Sequence, residues 1–445
     1  MATTHVFIVD SNTFKYHIEY MFAGTGAGDT FIDFNNLTTT SLHAQTENNL
    51  IGMIADLSRI RIGDNIIFYL QQDMKNKINE GKFYGIFKVT NIGFMDNLEH
   101  SLINNINCIE KYNIKLKNDE NFIMKDSKNI EMKGFFNKEK ILEKITNLQD
   151  KININKVIDN YFNSNQYLLK ELKKSLTFRI LIEPSDVYSE GVTEWEALDE
   201  ISNIQSPNQM LWSLLYRKLK GNRGNTMITI YEFDRLKQLI RNKNNRNILQ
   251  GNNFTFNIQS QKIENSSATN LYTGRKTNIN ILPRLLNKYS KGLQFETHLQ
   301  AYILQNAENI NIFVNENIEW IGNEVSCGVG MQRIDILLSV VRNNNKICIP
   351  IELKSTEAYL EITNQVQRYI DWLKQYYLPN RPSDLEPMII SRQIKNKTTQ
   401  NYLDLIQEFI NFNTRNNLVL RYIEFDVNPD SISFNEILYL EEDKR

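Results

Sequence analysis

The chain has 445 residues, 41% of them apolar and 11% aromatic, and its net charge is −1. That length exceeds one ordinary core and predicts two or three domains, while the apolar content excludes wholesale disorder. Cys108, Cys327 and Cys348 are far apart and odd in number, which excludes a disulfide framework and a zinc knuckle and predicts a reducing compartment. The opening MATTHVFIVDSN has no basic region followed by an apolar run, and no stretch of about 18 apolar residues occurs, so a soluble, cytoplasmic chain with no membrane partner is expected.

In chain order, HVFIVD, DNIIFYL (64–70) and KFYGIFKVTNI (82–92) are rich in β-branched and aromatic residues and predict strands; NNLIGMIADLSRI (48–60) predicts a helix before the second of them. Together they predict a small β-rich, barrel-like unit. Residues 100–175 are polar, Lys- and Asn-rich and more helical, as an insertion would be. LTFRILIEP (176–184) returns to strand character. The Asn-, Ser- and Lys-rich stretch 241–281 has weak periodicity and predicts a linker. From about Ile281 a second unit is expected, with a helix in GLQFETHLQAYILQNAENI, strands, a hairpin, a long helix and further α/β elements. The domains expected are 1–240, the linker 241–281, and 282–445.

Charge is segregated along the chain. Leu211 to Lys288 holds fourteen Lys and Arg against Glu232, Asp234 and Glu264, whereas Glu183 to Glu200 holds seven acids and no base. A basic segment on a neutral protein is the footprint of a polyanion partner, although scattered cations also solvate helices and linkers.

The chemistry concentrates in MQRIDILLSVVRNNNKICIPIELK. RIDILLSVV and KICIPIELK are strand-length apolar runs, and the asparagines between them tolerate left-handed backbone. A hairpin folded about Asn343–Asn344 sets Asp335 across from Glu352, within about 5 Å, and Lys354 joins the same face two residues on. Two carboxylates so placed repel unless a cation neutralises them, and Mg²⁺ suits few carboxylates with retained waters and phosphate oxygens. Glu296 lies on the preceding helix. Gln365 and Tyr369 are neighbours at i,i+4 on the following one. Taken singly, Gln365 and Tyr369 are more often ordinary helix residues and Glu296 a surface acid, and Glu352 with Lys354 could be a wet strand pair. That alternative does not explain Asp335 landing opposite Glu352. Five scattered histidines exclude a histidine-based site, and no Gly-Lys-Ser phosphate loop occurs.

Glu296, Asp335, Glu352-x-Lys354 and Gln365-x-x-x-Tyr369 resemble the PD-(D/E)XK nuclease superfamily in its RecB-like and NucS-like branch, over the last third of the chain. Ile334, where Pro is often found, departs from the pattern. The resemblance implies Asp335, Glu352 and the Leu353 carbonyl as metal ligands, Lys354 as catalytic lysine, Glu296 as the helix acid and Gln365 as a positioning residue. RIGDNIIFYL and GKFYGIFKV, with the later WSLLYRKLKGNRG, resemble a PUA-like domain of the EVE or YTH type. That implies a flipped base stacked on aromatics: Tyr69, Trp195 and Trp212, with Asn12 reading a base edge. Each aromatic, taken individually, is better suited to a core than to a base cage. Arg217, Lys218, Lys220 and Arg223 would be phosphate clamps, or simply a solvated helix end.

The fold expected is thus an α+β PUA-like barrel with a helical insertion, followed by an α/β restriction-endonuclease-like domain. The function the resemblance implies is a Mg²⁺-dependent DNA endonuclease of the restriction type in bacterial defence, with Mn²⁺ a substitute and dependence on a modified base as one version. One site per chain implies a homodimer for a double-strand cut. A repair nuclease acting on branched, mismatched or single-stranded DNA, and a non-catalytic nucleic-acid-binding protein, remain alternatives.

Overall fold

The computed structural model describes residues 2–26, 44–74, 78–96, 178–199, 224–270, 272, 276–327 and 332–440. Through the first half run β1 (Thr4–Val9), α1 (Ser11–Tyr20), β2 (Phe22–Thr25), α2 (Ala44–Ser58), β3 (Asn65–Leu70), β4 (Lys82–Val89), β5 (Phe94–Asp96) and β6 (Phe178–Pro184). They are followed by β7 (Val192–Thr193), α3 (Glu194–Asp199), β8 (Asn225–Ile228) and α4 (Ile230–Lys243), then β9 (Phe254–Asn257), β10 (Lys262–Asn265) and β11 (Lys276–Asn278). Local chemistry accounts for several of these. All six residues of β3, NIIFYL, are buried, which suits branched and aromatic side chains packed on both faces. Helix α4 starts in a capping box, Thr229 and Glu232 each satisfying the other's backbone N–H.

These strands form a nine-stranded sheet in the order β11-β5-β6-β4-β3-β1-β8, with β2 on β6 and β7 on β4, curled into a half-barrel. The expected insertion over 100–175 lies outside the described residues. The stretch 241–281, expected as a linker, instead carries structure that belongs to this half. The β9–β10 hairpin places Phe256 against Phe14, with ring centroids 4.6 Å apart, and β11 pairs with β5. Strands of three and four residues are too short to show periodicity, so long-range packing defines them.

The second half contains α5 (Leu282–Ser290), α6 (Glu296–Gln305), β12 (Ile318–Ser326), β13 (Arg333–Arg342), β14 (Asn345–Glu357), α7 (Ile362–Trp372), β15 (Asp384–Leu385), β16 (Met388–Arg392), α8 (Gln400–Asn416), β17 (Arg421–Val427) and β18 (Ile432–Glu436). Its mixed sheet runs β12-β13-β14-β16-β17-β18, with β15 on β14; β12, β13 and β14 are antiparallel neighbours, and β14, β16 and β17 are parallel. Asn343 (φ 49°) and Asn344 (φ 67°) are both left-handed, the two-residue turn whose twist matches a tight hairpin. Arg342 accordingly pairs with Asn345 and Ile336 with Ile351.

The halves share a core. One apolar cluster passes from Phe7 and Phe68 through Ile54 of α2 and Leu299 of α6 to Ile336, Ile351 and Phe425. Polar contacts cross the same boundary. Buried Arg59 donates to Asp56 (2.6 Å) and Asn225 (2.5 Å) and also bonds Asn323, while Trp320 Nε1 donates to the Ile228 carbonyl at 2.8 Å.

The segregated charges meet in space. Lys237 pairs with Asp186 at 2.7 Å, Lys243 with Glu196 at 2.6 Å and Lys262 with Glu190 at 2.7 Å. Arg284 and Lys288 converge on Glu47. Over its described part, therefore, the basic segment spends these cations on acids of the same chain, and those five form no open polyanion track. Among the described residues no helix is long and apolar enough to cross a membrane.

Candidate active site at the end of the second sheet

Alternation along β14 sends Ile349, Ile351 and Leu353 into the core shared by the two halves and turns Glu352 to the opposite face. That face is covered by α7, so Glu352 is 2% exposed and the Lys354 side chain 15%. The wet strand pair is thereby excluded. Asp335 follows the ladder one step beyond Ile336–Ile351, and its Oδ2 accepts the Leu353 N–H at 2.7 Å.

Glu352 is held at both oxygens. Lys354 Nζ donates to Oε1 at 2.6 Å, and the Tyr369 hydroxyl donates to Oε2 at 2.5 Å. From the other side of the sheet, α6 brings Glu296, whose Oε2 lies 3.4 Å from the Ser355 nitrogen, and Gln300, whose Nε2 donates to the Asp335 carbonyl at 2.8 Å.

The electrostatics bind the group together. Burial pushes the Asp335 carboxyl well above its ordinary range, and the neighbouring Glu352 charge pushes it further. Burial also raises Glu296, against the pull of Lys354. Burial works to lower Lys354, but Glu352, Glu296 and Asp335 outweigh it and raise its affinity for a proton. The Tyr369 phenol is raised by burial and then by Glu352.

Sequence reasoning brought Glu296, Asp335, Glu352 and Lys354 to one place but left two contributors unassigned. Tyr369, noted for its spacing from Gln365, is the helix residue that reaches Glu352; Gln365 instead accepts from the Tyr359 hydroxyl at 3.4 Å. Gln300 carried a signal too, being one turn beyond Glu296. Among the described residues no three His, Cys, Asp or Glu side chains form a group that could hold a metal ion. Both oxygens of Glu352 already have donors, and Asp335 Oδ2 is turned toward the backbone.

The proposed base pocket is not assembled by the described residues. Tyr69 is 6% exposed, donates to Glu194 Oε2 at 2.8 Å and lies over Gly81, where a Cβ would fall 2.0 Å from its hydroxyl. It is a packed core residue because the barrel interior is filled by its own rings. Trp195 is 59% exposed on α3. Asn12 is on α1, with its side chain outside the described residues, as are Trp212, Arg217, Lys218, Lys220 and Arg223. A shallow cavity of about 610 Å³, lined by Lys346, Lys374, Pro379 and Asp384, lies by the hairpin end of β14. At about 3.3 Å per residue it is roughly 20 Å along the strand from Glu352.

No protein-family model, curated protein or solved structure significantly matches this chain.

Proposed function

We propose that the chain is a divalent-metal-dependent nuclease acting on DNA, with Glu296, Asp335, Glu352 and Lys354 at its centre. The observation that carries this reading is that three carboxylates from α6, β13 and β14 gather around Lys354, which interacts with all of them. So much negative charge withdrawn from water is unfavourable unless a cation offsets it. The donor set is oxygen-rich, as Mg²⁺ or Mn²⁺ requires. Asp335, Glu352 and the Leu353 carbonyl would hold the ion, with the Glu352 carboxylate released from Tyr369 or Lys354 to do so. When bound, such an ion supplies Lewis-acid stabilisation of a phosphodiester and a water of lowered pKa.

The protein's own groups then have definable tasks. Lys354 keeps its proton, because three acids raise its affinity for one; it therefore serves as a cation beside developing phosphate charge rather than as a base. Tyr369 orients Glu352, and Gln300 fixes the strand that bears Asp335. A restriction-type cut of both strands would use two chains, as a homodimer.

The test is cleavage of unmodified, 5-methylcytosine-containing and 5-hydroxymethylcytosine-containing plasmid, with Mg²⁺, Mn²⁺ or EDTA. Cutting with metal that falls at least about a hundredfold in Asp335→Ala and Glu352→Ala supports the reading. Unchanged cutting by Asp335→Ala, or no cutting of these or of branched DNA by the wild type, rejects it.

A further inference from the structure

Helix α6 joins the carboxylate site to the first half of the molecule. At about 100° per residue, Glu296 and Gln300 lie about 40° apart on one face, while His298 lies about 200° from Glu296, on the other. The first face meets Ser355 and the Asp335 carbonyl, as described. On the second, the wholly buried His298 donates Nε2–H to Glu47 Oε1 at 2.9 Å. Glu47 sits on α2, 251 residues away in sequence. Its two oxygens also accept Arg284 Nε at 2.7 Å and Nη2 at 2.9 Å, and Lys288 Nζ stands 3.5 Å away.

The start of α6 has no capping side chain, although Phe295 packs its ring against Tyr289 and Phe425. Its N-cap position, Phe295, offers no side-chain hydrogen bond, yet Glu296 is the first residue of the helix. Helix ends without a capping side chain fray readily. Phe295 anchors this turn by apolar packing, which carries no hydrogen-bond direction, so polar contacts farther along the helix can set its rotation and with it the aim of Glu296. Packing of α6 on α2 supplies the apolar part, and Glu47 supplies the directional part. Helix α2 is itself tied to the second sheet farther along, where Asn323 of β12 donates Nδ2–H to Asp56 Oδ1 at 2.9 Å.

We propose that Glu47 is a positioning residue for the carboxylate site: through His298 it fixes the rotation of α6, and so holds Glu296 against Ser355 and Gln300 against Asp335. Its consequence for catalysis rests on the nuclease reading; its structural part rests on the hydrogen bonds alone. The first half of the chain thereby sets the geometry of a site made entirely from the second half.

The test uses the full chain with His298→Leu, which removes the donor, and His298→Gln, whose amide can replace it. Two quantities are measured on folded protein: hydrogen exchange of the peptide covering 350–357, and Mn²⁺ binding by calorimetry. His298→Leu should speed exchange there about tenfold, the scale of one lost hydrogen bond. It should also weaken Mn²⁺ binding about tenfold, as removal of an outer support to a metal ligand does. His298→Gln should restore both. If His298→Leu fails to fold, His298→Asn, with its shorter reach, takes its place in both measurements. Wild-type exchange across 350–357 in the folded donor-less variant overturns the proposal. Should the wild type bind no metal and cut nothing, the nuclease reading falls while the exchange result still decides whether Glu47 positions this strand.

Discussion

Glu47 on one side of α6 is buried and Asp335 on the other is half-buried, yet their surroundings drive the two carboxyls in opposite directions. Burial alone would raise Glu47, but hydrogen bonds from His298 and Arg284 outweigh it and hold the carboxyl below its ordinary range. Asp335 is raised by burial and raised again by Glu352 and Glu296, with Lys354 the cation opposing them. One cluster has a single acid among Arg284, Lys288 and His298; the other has three acids around one lysine. Around Glu47 the donors and cations outnumber the acid, which favours its charged form. Around Asp335 the acids outnumber the one lysine, an excess that a proton or a further cation would relieve.

Glu47→Ala removes the buried acid that Arg284, Lys288 and His298 share and should cost about 3–5 kcal/mol in urea unfolding. A loss under about 1 kcal/mol would show that the cluster is not desolvated in solution.

The opposite sign is expected at Asp335. Its folded-state pKa lies above the unfolded value, so the native protein holds a proton more tightly than the unfolded chain. Without metal, stability should therefore fall as pH rises from about 4, near the unfolded value, through the raised native one. Asp335→Asn should remove that fall and raise the unfolding midpoint in EDTA at pH 8 more than at pH 4. A midpoint that drops at pH 8 would mean the acid cluster is already balanced.

Tyr369→Phe removes one hydrogen bond from Glu352 and should cost about 1 kcal/mol, leaving the midpoint's pH dependence in place. A larger cost would assign the phenol a wider packing role. The smallest effect belongs to the turn that sets the register. Asn344→Gly, at φ 67°, should stabilise by a few tenths of a kcal/mol, since glycine adopts left-handed backbone without a Cβ. Destabilisation would show that the Asn344 side chain contributes beyond its backbone conformation.

Much of the site was legible because its determinants are short-range. Two asparagines choose a two-residue turn, the turn sets the register, and alternation puts Glu352 and Lys354 on one face and Asp335 across from them. The strands of the half-barrel announced themselves in the same way, by branched and aromatic runs such as NIIFYL. Less legible was whatever depends on two distant elements meeting. Gln365 carried the motif, but the helix turned Tyr369 toward Glu352. Tyr69 had the composition of a base platform, but neighbouring Gly81 and Glu194 made room for it in the core.

By itself, then, the sequence determined the β13–β14 hairpin, the order of the elements and the face that carries the acids, since turn chemistry and a period of two act over a few residues. The tertiary structure decided that the expected linker would pair with the first sheet, that Lys237, Lys243 and Lys262 would meet Asp186, Glu196 and Glu190, and that Glu47 would close on Arg284 and His298. Those pairings span up to 251 residues. No local periodicity encodes them, because they are chosen by the burial of charge when two packed halves come together.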